Sequence, residues 1–128
     1  MSLEDAKALG MVGKLAYPND TKICNQYHGR QGVEYLYFTD DQLIIIIPGP
    51  KIRLDTGLGV GSIYADLKYA YGDRFDPSGA RDFSRVTIAA PGAPFKAHYR
   101  MDVDPGANLE DASVTTIALQ ADGQQCYE

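Results

Sequence analysis

The chain has no tryptophan, only two histidines and two cysteines, and no excess of positive charge. Its 128 residues include 12 Lys+Arg against 17 Asp+Glu, for a formal net charge of −5. Binding to nucleic acid relies on clustered Lys and Arg, so we expect no nucleic-acid partner. The longest apolar run, Leu43 to Ile47, is far shorter than the roughly 20 residues of a membrane helix. No transmembrane segment is therefore predicted.

The residue patterns of common catalytic and metal sites are also missing. No serine lies in a G-x-S-x-G motif, and no cysteine lies in a CxxC motif. Gly57, Gly59 and Gly61 lack the following lysine of a P-loop and the spacing of a dinucleotide fingerprint, so they are interpreted as a flexible approach to a helix. His28 has no adjacent acid, and His98 shares its strand face with basic residues. We expect no enzyme, no cofactor and no metal.

The two cysteines, Cys24 and Cys126, lie near opposite ends of the chain. A cysteine close to the C-terminus often fixes the chain end to an early strand, so the positions predict a disulfide. Closing a loop of about 100 residues could stabilise the fold by ~4–5 kcal/mol. Two unrelated buried thiols are the alternative. A disulfide indicates an oxidising compartment, and we expect a native signal or lipid anchor to lie upstream of Met1.

The segment from Thr56 to Gly72 is predicted as a glycine-rich entry followed by one short helix. Ser62 is a suitable N-cap, and Gly72 occupies the position of a left-handed C-terminal cap. One helix face carries Ile63, Leu67, Ala70 and Tyr71. A helix this short is unstable alone, so we expect it to pack on neighbouring strands.

The rest of the chain predicts an α+β fold, with two short helices packed on antiparallel β-sheet in one domain of residues 1–128. A first helix is predicted over Leu3–Leu9, capped by Ser2 and ended by Gly10. Strands are predicted at 22–28, 33–39, 42–47, 85–90, 95–103 and 113–120. An offset of 62 residues places Gly10 on Gly72. We therefore predict a tandem helix–three-strand repeat, with halves 1–50 and 51–128.

Nine tyrosines give the chain a candidate binding surface. Tyrosine is frequent in interfaces because it offers contact area and a hydroxyl group. The candidate residues are Tyr35 and Tyr37 on a strand, with Tyr64, Lys68 and Tyr71 on one helix stripe. The alternative is that these tyrosines lie at the edge of a small core.

Several stretches resemble a group of small bacterial secreted proteins and lipoproteins of uncharacterised function. They are CNQYHG, GVEYLYFTDDQLIIII and GLGVGSIYADLKYAYG, together with the terminal cysteine. The predicted architecture is more distantly similar to β-lactamase-inhibitor proteins and to small lipoproteins of outer-membrane assembly. The resemblance implies a periplasmic or secreted location and no catalytic residues. It provides no interface residue, and fold alone does not determine function.

These observations predict a non-catalytic, secreted or envelope-associated module that interacts with an unknown protein partner. One alternative is an inhibitor of a secreted β-lactamase or cell-wall hydrolase, with the acidic stretch from Asp102 to Asp111 as its docking edge. A second alternative is a small-ligand-binding domain that uses the tyrosines between helix and sheet. The sequence does not predict an oligomeric state.

Overall fold

The computed structural model describes residues 1–17, 24–78, 85–90, 96–104, 108–124 and 126. The helices are α1 (Leu3–Ala8) and α2 (Tyr64–Tyr71), with 3₁₀ turns at Gly72–Arg74 and Leu109–Asp111. The strands are β1 (Val12–Tyr17), β2 (Asn25–Gly29), β3 (Val33–Thr39), β4 (Gln42–Pro48), β5 (Phe75–Asp76), β6 (Arg85–Ala89), β7 (Ala97–Val103) and β8 (Val114–Ala121). They form one eight-stranded sheet in the order β1-β2-β3-β4-β8-β7-β6-β5. None of the described helices is both long enough and apolar enough to span a bilayer.

The predicted fold class, two short helices packed on antiparallel β-sheet, is wrong. The dominant element is instead one antiparallel sheet of eight strands. Helix α1 has six residues and buries only Ala6, so it does not form a packed layer. The predicted repeat is also wrong. Four strands, not three, follow α1, and an offset of 62 residues would place Gln42 of β4 on Asp104, outside any strand.

Strand β1 was missed because its pairing is irregular. Its register to β2 shifts between Val12 and Leu15 and again between Leu15 and Tyr17. Such bulges break the alternation of apolar and polar residues that identifies a strand in a sequence. Strand β5 was missed because it has only two residues. The predicted starts of two other strands, Lys22 and Phe95, lie outside the described residues.

The chain divides into two compact units, which are described separately. The first unit contains Met1–Gly49 and Gln120–Glu128, and the second contains Pro50–Leu119. In the first unit, hairpin strands β2, β3 and β4 pair antiparallel. A small core of Ala6, Leu36, Phe38 and Leu43 lies on one face, with Leu3, Tyr27 and other partly buried apolar residues against it.

The second unit has the larger core, which is built around α2. Tyr64, Leu67 and Tyr71 are the buried residues of this helix. They pack with Phe75, Val86, Ile88, Met101, Val103, Ala112, Val114 and Ile117. The segment before α2 is fixed by backbone bonds, since Gly61 N donates to Val114 O and Val114 N donates to Ser62 O, both at 2.8 Å.

The predicted caps have different outcomes in the two helices. Ser2 caps α1 as expected, because its Oγ accepts from Asp5 N at 3.1 Å. Gly72 is the C-cap of α2, with φ +52°. The assignment of Ser62 as N-cap is wrong. Ile63 occupies that position without a side-chain cap, and Ser62 Oγ instead accepts from Gly59 N at 2.9 Å within the preceding loop.

The predicted disulfide between Cys24 and Cys126 is confirmed. Their sulfur atoms are 2.04 Å apart, and the bond joins residues separated by 102 positions. Both cysteines belong to the first unit, so the bond attaches the C-terminal segment to the hairpin strands. Cys24 has φ +65°, a left-handed conformation that residues other than glycine adopt at an energetic cost.

Removing the core side chain of Leu67 should destabilise the second unit strongly. Leu67 is fully buried, and Leu67→Ala should lower the free energy of unfolding by about 2–5 kcal/mol. Tyr69 is 93% exposed on the same helix, so Tyr69→Ala is the matched control and should change stability by less than about 0.5 kcal/mol. Urea denaturation followed by circular dichroism measures both variants. Equal losses would show that α2 does not pack as described.

Reduction of the Cys24–Cys126 bond should destabilise the first unit. Opening a loop of this length should lower the free energy of unfolding by about 2–5 kcal/mol, because the unfolded chain regains conformational freedom. The measurement is urea denaturation with and without reductant. The double variant Cys24→Ala/Cys126→Ala controls for reductant, which should leave its unfolding midpoint unchanged. An unchanged midpoint for the wild-type chain would contradict this role of the bond.

Candidate functional site

A pocket in the first unit is the candidate site. Its volume is about 450 Å³, and it is lined by Leu3, Asn25, Tyr27, Phe38, Asp40 and Asp41. This volume is within the range of pockets that bind small molecules. The lining residues come from three parts of the chain: the start of α1, strand β2 and the β3–β4 hairpin.

The acidic rim of the pocket is a two-residue hairpin turn. Thr39 pairs with Gln42, which leaves Asp40 and Asp41 as the central residues, with φ +47° and +64°. Positive φ at both central residues is the geometry of a type I′ turn, for which Asn-Gly is the favoured sequence. Here the turn instead presents two exposed carboxyl groups. Asp41 Oδ1 accepts from Leu3 N at 3.0 Å, which joins the turn to the start of α1.

The apolar wall of the pocket consists of Tyr27 and Phe38. Their rings meet edge to face, with centroids 5.8 Å apart and planes at 89°. This arrangement is one of the preferred geometries of aromatic pairs. Asn25 lies directly across from Phe38 in the β2–β3 pairing, so Asn25 and Tyr27 lie on the same face of β2. Phe38 is only 2% exposed, and it connects the pocket wall to the core of the unit.

The disulfide lies directly beside both sides of this pocket. Cys24 precedes Asn25 in the chain, and Cys126 Sγ is 3.4 Å from the Oγ1 atom of Thr39, which precedes Asp40. The N–H of Cys126 also donates to Gln124 Oε1 at 2.7 Å. The bond thus joins the C-terminal segment to the start of β2, and the contact between Cys126 Sγ and Thr39 Oγ1 places this segment against the end of β3. Strands β2 and β3 supply three of the six lining residues, Asn25, Tyr27 and Phe38.

The tyrosines predicted as a binding surface are divided between the two units. Tyr35 and Tyr37 are partly buried on the face of β3 opposite Phe38. The Tyr35 ring lies 5.3 Å from the imidazole of His28, measured between centroids. Tyr64 and Tyr71 are each 5% exposed and belong to the core of the second unit, in agreement with the core-edge interpretation. Lys68 is exposed on α2.

Tyr69 is an exposed residue that the sequence interpretation missed. It is 93% exposed on α2, next to Lys68. The predicted helix stripe omitted it because only the positions that share a face with Tyr64 and Tyr71 were considered. On this helix, the tyrosine that is available for contact with a partner is therefore Tyr69.

The hydroxyl of Tyr71 explains how a tyrosine is accommodated in the core of the second unit. It hydrogen-bonds with Thr56 Oγ1 at 2.9 Å and donates to Asp55 Oδ1 at 3.4 Å. The guanidinium carbon of Arg74 lies 5.2 Å from the centre of the ring. Burial raises the pKa of Tyr71, partly offset by the bond with Thr56. The hydroxyl thus anchors the glycine-rich loop to α2.

The residues considered for chemistry do not come together in one place. His28 is exposed on β2 and His98 is partly buried on β7. Among the described residues, no group of three or more His, Cys, Asp or Glu is arranged to hold a metal ion. Asp102, from the acidic stretch proposed as a docking edge, accepts from Arg100 Nε at 3.1 Å and from Thr116 Oγ1 at 2.7 Å. Positions 105–107 of that stretch lie outside the described residues.

Comparisons with known proteins identify a similar solved structure but no matching protein family. No protein-family model matches the chain, and no curated protein sequence matches it. Among solved structures, the crystal structure of the uncharacterized protein yfeY from Escherichia coli is similar, with 14% sequence identity and a TM-score of 0.51. The match covers 91% of this chain and 87% of that chain. At this identity the likeness shows the fold alone, so the suspected family of secreted proteins and lipoproteins stays a prediction.

Proposed function

We propose that this protein is a non-catalytic, extracytoplasmic binding module that contacts a protein partner through the pocket of its first unit. The observation that carries the proposal is the position of the disulfide. It fixes the C-terminal segment to the start of β2, and Cys126 Sγ contacts Thr39 Oγ1 at the end of β3, next to the lining residues Asn25 and Asp40. A binding site gains affinity when its walls are held in place before the partner arrives. The bond restrains the start of β2 in this way, and the contact of Cys126 Sγ with Thr39 Oγ1 extends the restraint to the end of β3.

The same bond supports the proposed location. Disulfides persist in oxidising compartments and are rare in the cytosol of most organisms. Cys24–Cys126 is structural by its position, since it closes the C-terminal segment onto the hairpin strands. This favours the periplasm or the extracellular medium as the place where the module acts. It also agrees with the location that the resemblance to secreted proteins and lipoproteins implies.

A protein partner is favoured over a small molecule by the form of the pocket. Its rim is the tip of a hairpin, and both turn residues are exposed. Of the lining residues, only Phe38 is fully buried. Small-molecule sites usually enclose most of their ligand, whereas protein interfaces combine a buried aromatic centre with a polar rim. The pocket has the second arrangement.

Site-specific photo-crosslinking tests this proposal in the native extracytoplasmic fraction. A photoreactive p-benzoylphenylalanine replaces Glu4, an exposed residue next to Leu3 of the pocket, and in a separate protein it replaces the exposed Tyr69 of the second unit. We expect a discrete protein adduct from position 4 and not from position 69. The adduct should weaken in the Cys24→Ala/Cys126→Ala background, because the C-terminal segment is then no longer fixed to the start of β2 beside the pocket. No adduct at position 4, or equal adducts at both positions, would refute the pocket as the contact site.

A further inference from the structure

We propose that the pocket of the first unit receives the cationic side chain of a lysine or arginine from the partner protein. This inference rests on the proposed function and specifies the chemistry of the group that enters the pocket. Two features carry it: the charge of the rim and the apolar wall next to the rim. Each feature matches one part of a long basic side chain.

The charge of the rim favours a cation. Of the described residues that line the pocket, two are aspartates and none is basic. One oxygen of Asp41, Oδ1, accepts a hydrogen bond from Leu3 N. An ionised carboxylate offers about four acceptor sites on two oxygens, so Asp41 can accept further bonds. The whole chain is acidic, with a net charge of −5, which adds to the attraction for a basic partner.

The wall of the pocket fits the remainder of such a side chain. Leu3, Tyr27 and Phe38 provide an apolar surface next to the two carboxylates. Lys and Arg side chains pack their methylene groups against apolar surface and keep the charged end near polar groups. The partly buried ring of Tyr27 also offers a π face to a cation. A purely polar ligand such as a metal ion would leave this apolar surface unused.

The other ligand classes are less consistent with the lining. An anion would have to approach two carboxylates without a basic residue among the described lining residues to compensate. An uncharged apolar group would desolvate the carboxylates without giving them a partner, which is unfavourable. A cation attached to an apolar stem satisfies both parts of the site. The planar guanidinium group of arginine can also bond to carboxylate oxygens in pairs.

The test is a nuclear magnetic resonance titration of the full, oxidised chain labelled with ¹⁵N. The probes are acetylated, amidated glycine peptides that carry one central lysine or arginine, and their neutral isosteres carry norleucine or citrulline. We expect saturable shifts of the amide signals of Asn25, Tyr27, Asp40 and Asp41 with the basic peptides. The neutral peptides should shift these signals little. Raising the ionic strength should weaken the binding, because exposed charges are screened.

Charge-removing variants test the two carboxylates without changing the turn. Asn adopts left-handed conformations as readily as Asp, so Asp40→Asn and Asp41→Asn should preserve the hairpin. Asp41→Asn also keeps an oxygen that can accept from Leu3 N. Each variant should weaken the binding of the basic peptides about threefold to fivefold. Glu34→Gln changes the net charge equally at an exposed position of β3 and should weaken binding by less than about 1.5-fold.

The possible results separate this inference from the proposed function. Equal shifts with the neutral isosteres, or equal losses in Glu34→Gln and the two Asp variants, would overturn the cation inference. An adduct at position 4 in the crosslinking experiment would then still support a protein partner. A free diamine such as cadaverine that binds more than about tenfold tighter than the lysine peptide would identify a small amine as the ligand and overturn the partner side chain.

Discussion

The covalent bond between Cys24 and Cys126 is the constraint on which the organisation of the first unit depends. It returns the C-terminal segment to the strands that the N-terminal part of the chain forms, across 102 positions of sequence. The apolar core of this unit is small, with Ala6, Leu36, Phe38 and Leu43 as its buried members. A small core benefits most from a covalent closure of this length. The same closure places Thr39 and Asn25 beside the two sulfur atoms, and these residues adjoin the pocket.

The two units obtain their stability in different ways. The second unit has an extended apolar core around Leu67. At the edge of this core, the hydroxyl of Tyr71 forms hydrogen bonds with Thr56 and Asp55. The first unit combines its smaller core with a disulfide and with a turn in which two aspartates adopt positive φ. Asn-Gly is the favoured sequence of that turn type. Asp40 and Asp41 thus stand where the turn itself favours other residues, which is the reason to assign their carboxylates a role in binding.

Prediction from sequence succeeded where a local pattern was complete and failed where it was interrupted. Strand β3 was predicted at the observed Val33–Thr39, because this stretch is rich in aromatic and β-branched residues. Strand β1 was missed since two register shifts interrupt its regular pairing with β2. Ser62 has the residue type of a helix cap, but its hydroxyl bonds to the loop. The pocket was missed because its lining comes from residues 3, 25–27 and 38–41, which only the folded chain brings together. The unusual Asp-Asp hairpin turn was the local signal that could have indicated it.

The central claim is that the protein functions in an oxidising compartment with its first unit closed by Cys24–Cys126. The most direct measurement is a count of free thiols on the unreduced, denatured protein, purified from its native host after alkylation at harvest. We expect a monomer with both cysteines to have no free thiol. Two free thiols per chain would contradict the claim, since the C-terminal segment would then lack its covalent connection to the start of β2 where the protein acts.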